Sequence, residues 1–214
     1  MQKNHGCAIK VGFANLCRII NNHIKENDGE GIIIQSADPF IFNNRIEKNK
    51  NNGIFSYTFQ SVRSDGKVKR NEITGNNQNG IMLTGRNNKM RIEANQFIGY
   101  NKKAGIKLEE EASPCIYNNT IVRNLAQGIL LVEKAMAHIE MNKIYENVKA
   151  NIAFGGKLSI NTNILCNKIK GGKCEGIFIV ECGQCWIHGN DIYKNNHGIV
   201  CQMAGPELWG NRIY

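Results

Sequence analysis

Three glutamates, Glu110, Glu133 and Glu181, return two residues past a repeated Gly-Ile-x-Leu segment. If the repeats stack as parallel strands, Glu110 and Glu133 lie one strand spacing apart, about 4.8 Å. Two carboxylates at such a distance can act as acid and nucleophile on a glycosidic bond, or share a cation. The surroundings argue for a plainer role: Gly156 interrupts the column before Glu181, Glu109 to Glu111 form one acidic run, and no Lys or Arg column accompanies them. A solvated strand end is the expectation. Cys182-x-x-Cys185-x-x-His188 is the one stretch with metal-like spacing. A closed zinc site needs four ligands. The positions that repeat beside it hold Thr162 and Pro206, and Leu165 and Trp209, and Cys174 could join only if its turn folded back, so a packed corner is expected and no metal. The remaining histidines, His5, His23, His138 and His197, make no catalytic pattern with Ser, Cys or Asp, and no cofactor is implied.

The elements that must position these residues are repeats. Asn119-Thr-Ile121-Val-Arg-Asn124-Leu-Ala-Gln-Gly128-Ile129-Leu-Leu131 reads N-x-I-x-x-N-x-x-x-G-I-x-L. Its first Asn recurs as Asn22, Asn44, Asn71, Asn95, Asn119, Asn142, Asn167, Asn190 and Asn211, at intervals of 21 to 27 residues. That period belongs to solenoids. Two residues after each Asn stands an apolar side chain, Ile in eight repeats and Phe97 in the ninth; three residues before it stands Ile, Val or Leu in every repeat. A third apolar column, Ile32 to Ile199, follows Gly in seven of eight cases, and Asn151 is the departure, read as a second choice for a turn with positive φ.

Each repeat therefore carries three short segments rich in β-branched residues, with no run of helical periodicity. Stacked, they predict an all-β right-handed parallel β-helix of eight to nine coils of roughly 22 to 27 residues, a single domain over 1–214. Pro39, Pro114 and Pro206 all sit five residues before a register Asn, at a corner where no ladder N–H is needed. The register Asn column is expected to be a buried amide ladder. A second Asn column five residues on (Asn27, Asn49, Asn76, Asn124, Asn147, Asn195) fails at Tyr100 and Gly172 and is read as an exposed turn. The longer stretch from Gly53 to Val68 is expected to bulge at Tyr57, Phe59 and Ser64-Asp65-Gly66.

Within Gly-Ile-x-Leu, period two sends x outward. That column contains Ile33, Phe55, Met82, Leu130, Phe178 and Val200, with Lys107 and Ala153 between them. An apolar stripe of this length suggests a face that holds a protein partner. The chain has a formal charge of +9, but its outward column next to the register Asn mixes signs and it has no nucleic-acid-binding motif, so nucleic acid is not the expected partner. There is no signal-peptide pattern and no apolar run long enough for a membrane span. Eight cysteines without framework spacing suggest reduced thiols, hence a cytoplasmic setting, with a cytoskeletal or ciliary one as a variant.

The N-x-I-x-x-N-x-x-x-G-I-x-L coil resembles the repeats of the NosD/CASH class of right-handed β-helices, especially those of eukaryotic F-box-only β-helix proteins and Shc-binding spindle and midbody proteins. The resemblance covers essentially the whole chain and is specific for fold. It implies a module that holds protein partners and does no chemistry. The sequence expectation is accordingly a non-catalytic β-helix interaction or scaffold module, with end-to-end self-association through the terminal coils as a further expectation. The alternative is a polysaccharide-active lyase or hydrolase that uses the Glu110, Glu133 and Glu181 column.

Overall fold

A computed structural model describes residues 4–14, 16–59, 62–155, 161–182 and 184–214. Among them, every regular element is a short strand, and the strands form three parallel sheets of nine. The first sheet runs from Ile9–Gly12 to His197–Gln202, the second from Arg18–Ile20 to Glu207–Trp209, and the third from His23–Lys25 to Arg212–Ile213. Every strand pairs with its equivalent in the next coil, so Ile106 faces Ile129, Ile116 faces Ile139 and Ile121 faces Ile144. The chain is a parallel β-helix of about nine coils.

The apolar columns fill the interior, and from Ile41 to Ile187 their isoleucines are fully buried. Only the last coil departs: Leu208 and Ile213 are about half exposed. Pro39 and Pro114 stand at the corner before the second sheet, where their carbonyls accept the Lys67 and His138 amides of the following coil. Their missing N–H therefore costs no ladder bond.

One extra residue between Asn95 and the third sheet changes the register assigned from sequence. The strand Phe97–Gly99 pairs so that Ile98, not Phe97, matches Ile73 and Ile121. Ile98 is fully buried and Phe97 is turned outward against Tyr100. A single inserted residue reverses which side chain points in, since side chains alternate along a strand.

The same slip hid a second asparagine ladder. The register column is the buried ladder expected: from Asn22 to Asn211 each Nδ2 donates to the Oδ1 of the next coil at 2.8 to 3.1 Å. The other column, expected to be exposed, is equally buried. It runs Asn4, Asn27, Asn49, Asn76, Asn101, Asn124, Asn147, Asn151, Asn195, with amide contacts of 2.7 to 3.0 Å. Asn101 occupies the place that fixed spacing assigns to Tyr100. Where Gly172 supplies no side chain, Asn151 reaches across from its neighbouring position to join Asn147 to Asn195.

Both ladders sit behind strained corners. The residue before each register Asn is left-handed, with φ from 52° to 65°, and so is the residue before each position of the second ladder from Glu26 to Lys194 except Asn151, the bend of that coil lying at Gly171 before Gly172. Non-glycine residues pay for that conformation unless the surroundings fix it. The ladder amides do so: Asn119 Nδ2, for example, also donates to the Tyr117 carbonyl across the bend and to Ile92 O of the coil before.

The glycine column before the third apolar ladder has a different cause from the one expected. None of its members has positive φ, and neither does Asn151. A Cβ at Gly128 would instead lie 2.8 Å from Asn147 Nδ2 and 2.5 Å from Asn151 O. The column is a matter of space beside the second ladder, and Asn151 is admitted because Gly172 leaves that space open.

Tyr57 is no bulge. It ends the regular strand Ile54–Tyr57, in register with Gln35 and Thr84. The departure from the cylinder begins after it, where Phe59 is half exposed; residues 60 and 61 lie outside the described residues.

Candidate functional site

The sequence-predicted glutamates occupy structural corners. Glu110, Glu133 and Glu181 have φ of 52°, 51° and 48°, at left-handed turns that close their strands of the first sheet. Glu110 and Glu133 belong to neighbouring coils and are exposed; Glu110 accepts a 2.6 Å bond from the Thr84 hydroxyl. Position 156, which separates Glu133 from Glu181, lies outside the described residues. No basic side chain forms an ion pair with any of the three among the described residues.

The outward column of the first sheet is continuous in register: Ile33, Phe55, Met82, Lys107, Leu130, Ala153, Phe178 and Val200 follow one another strand by strand. Its apolar members are half-buried by their neighbours, Ala153 fully. Cys182 and Cys185 are buried and hydrogen-bond each other, whereas His188 lies on the outer side of the same strand, against the Trp209 ring at 3.5 Å between centroids. Cys185 and Ile187 point in and Trp186 and His188 point out, so alternation separates the thiols from the imidazole. Among the described residues no three His, Cys, Asp or Glu side chains are grouped to hold a metal.

The densest chemistry lies on the outer face of the second sheet. In each strand the central residue is buried and the two flanking it face out. One outward column therefore stacks Arg91, Cys115 and His138, and the other stacks Glu93, Tyr117 and Glu140. Coils rise by about 4.8 Å, which fixes the spacing of these groups without any help from loops. His138 Nε2 lies 2.8 Å from Glu140 Oε2. Glu93 is held by Arg91 at 3.5 Å and by Lys69, from the coil before, at 3.6 Å. Tyr117 stands between Glu93 and Glu140. Burial pushes the Cys115 thiol up, and Glu140 and Glu93 add to this against Arg91, so it stays protonated at neutral pH and is no nucleophile.

Aromatic groups flank this polar centre along the axis. Phe40 and Phe42 stack at 5.4 Å on one side, beside a cleft of about 370 Å³ bounded by Arg18, Asp38 and Lys67. On the other side Trp186 and Trp209 are 55% and 62% exposed. Large exposed rings with a polar edge suit ligands that are apolar on one face and wet on the other. An imidazole oriented by a carboxylate, a phenol one coil away and cations two and three coils away can take up and return protons beside an anionic group.

The comparisons agree with this architecture. The family described as right handed beta helix region matches over residues 1–97 and 59–213, and the chain belongs to it. Among solved structures, the periplasmic alginate epimerase AlgG matches with a TM-score of 0.71 at 15% identity, over 87% of this chain and 49% of that one. The A-module of the Azotobacter vinelandii mannuronan C-5 epimerase AlgE6 matches with a TM-score of 0.72 at 13% identity, over 95% and 59% respectively. This chain thus spans about half the length of the AlgG chain and somewhat more of the AlgE6 A-module. No curated protein matches by sequence. At such identities the likeness is one of fold. The neighbours are nevertheless alginate and mannuronan epimerases, and this stands against the non-catalytic scaffold expected from sequence. Periplasmic neighbours likewise overturn the cytoplasmic placement.

Proposed function

We propose that this chain is the β-helix of a polysaccharide-active enzyme of the lyase type, acting on an acidic polysaccharide across the outer face of the second sheet. The observation that carries the proposal is the His138–Glu140 pair with Tyr117 in the adjacent coil and Arg91 and Lys69 beyond it. With Nε2–H donated to Glu140, His138 has a free lone pair on Nδ1. In a uronate ring the proton on C5 is acidified by the adjacent carboxylate, more so when a cation neutralises it. Arg91, two coils from His138, and Lys69, three coils away, face the carboxylates of neighbouring uronates and set the polymer's register over His138. His138 takes the C5 proton, the C4–O bond breaks as the C4–C5 double bond forms, and the Tyr117 hydroxyl protonates the departing oxygen. Base and acid stand on one face of the sheet, which suits elimination with both groups on the same side of the sugar.

The alginate epimerases that share the fold act on a polyuronate, and a position outside the cytoplasm accords with this reading. Within the family, the N-x-I-x-x-N-x-x-x-G-I-x-L motif supports a kinship with the NosD/CASH class. The test is incubation with polymannuronate, polyguluronate and polygalacturonate, followed by absorbance of unsaturated uronate and by proton NMR. At least one should yield unsaturated ends, and His138→Ala should slow this by about 100-fold or more with unchanged thermal stability. No unsaturated product from any polyuronate, or an undiminished rate in His138→Ala, would refute the proposal.

A further inference from the structure

Around the corner from Glu140, the third sheet carries a set of cations that the reaction above does not use. Lys143 and Lys168 are directly opposite each other in adjacent coils, and both are exposed. Like charges in that arrangement destabilise a sheet. Neither, nor Lys170 beside them, forms an ion pair among the described residues. The next coil offers one carboxylate, Asp191, whose Oδ2 is engaged by Arg212 at 3.4 Å.

Tyrosines are interleaved with these lysines. Lys170 Nζ lies 5.5 Å from the Tyr145 ring and 5.7 Å from the Tyr193 ring, and Lys168 Nζ lies 6.0 Å from Tyr193. Tyr193 stacks on Tyr214 at 5.2 Å with planes 6° apart. The rings hold the ammonium groups in place by cation–π attraction while leaving their outer protons free. The result is a patch of three ammonium groups on two successive coils, Lys143 on one and Lys168 and Lys170 on the next, with tyrosine hydroxyls beside it.

We infer that this patch is a binding track for an acidic polysaccharide, which holds the polymer along the axis next to the reacting face. The inference rests on the polysaccharide reading above. Its chemistry is a carboxylate on each ammonium and the sugar edges against the tyrosines. A 1,4-linked pyranose chain advances by much the same step as a β-helix coil, about 4.8 Å, so successive uronates meet successive coils. The lysine repulsion in the free protein is relieved when the anion arrives.

The test is fluorescence anisotropy with a labelled oligomannuronate, in the His138→Ala background so that turnover does not intervene. Lys143→Gln, Lys168→Gln and Lys170→Gln together should weaken binding at least tenfold and reduce its salt dependence. Lys10→Gln, Lys89→Gln and Lys134→Gln, which remove equal charge elsewhere, should weaken it less than threefold. Tyr193→Leu should weaken oligomannuronate binding more than polyglutamate binding, which involves no sugar and loses only the ring's hold on the ammonium groups. Equal losses in the two triple variants would show only general attraction by net charge and overturn the track. Tighter binding of single-stranded DNA of matched charge, lost in the same triple variant, would replace the polysaccharide with nucleic acid and also overturn it. Unsaturated product from the wild type with full binding by the first triple would refute the track alone. Absence of product together with selective loss of binding would refute the lyase reading and leave the track standing.

Discussion

Exchanging Asn151 and Gly172 tests the account of the second ladder. In Asn151→Gly, the buried Asn147 amide loses its 2.8 Å acceptor and keeps only a 3.5 Å contact to Ile121 O. A buried donor left unpaired costs about 1 to 3 kcal/mol, and glycine adds up to about 1 kcal/mol of backbone entropy; the expected loss is about 2 to 3 kcal/mol. In Gly172→Asn alone, the new Cβ meets Asn151 Nδ2 at 2.9 Å and Asn195 Oδ1 at 3.1 Å, an overpacking that costs about 1 to 3 kcal/mol. The double variant puts Gly and Asn where every regular coil has them, and the ladder can run from Asn147 through position 172 to Asn195. It should lie within about 1 kcal/mol of wild type, giving a favourable coupling of about 3 kcal/mol, well above what independent sites show. Urea unfolding followed by circular dichroism measures all four proteins. Additive losses, with the double variant the least stable, would refute the reasoning.

Other outcomes follow from the same contacts. Asn124→Ala should destabilise as much as Asn119→Ala, about 3 kcal/mol each, because each amide donates to the next coil and to a carbonyl of the coil before and accepts two N–H groups; a urea melt showing a loss below about 1 kcal/mol for Asn124→Ala alone would contradict a second buried ladder. Gly128→Ala should cost more than about 2 kcal/mol by calorimetry, since its Cβ would lie 2.5 Å from Asn151 O. Burial raises the Glu47 carboxyl, but the His23 hydrogen bond at 2.7 Å and Arg45 outweigh it and hold the group below its ordinary value. Its stabilising contribution is therefore complete above the unfolded carboxylate range and fades as pH falls through the lowered value. Acid titration of unfolding should show this dependence in the wild type and lose it in Glu47→Gln.

The period, the three apolar columns and the first ladder were legible because each repeats at fixed offsets from an unbroken Asn. The second ladder was not. One inserted residue before Ile98 moved its member from Tyr100 to Asn101, and at Gly172 the amide comes from Asn151, which belongs to another column. Linear spacing registers both as failures, although in space the row is continuous. The His138, Tyr117 and Arg91 cluster is less legible for another reason: it joins unlike residues across three coils, so no single residue type repeats at its positions, and only the alternation of the second sheet's outward columns brings them together. Cys185-x-x-His188 has metal-like spacing in the sequence, yet odd spacing along a strand puts the two side chains on opposite sides.

Both ladders have a direction. Every amide in them donates toward the C-terminal neighbour, so an Asn side chain has its forward acceptor only once the following coil is in place. During synthesis the chain emerges N-terminus first, and each finished coil presents waiting donors to the one still leaving the ribosome. The two ends of the stack are therefore chemically unlike, the C-terminal side of each coil presenting amide donors and its N-terminal side presenting amide acceptors.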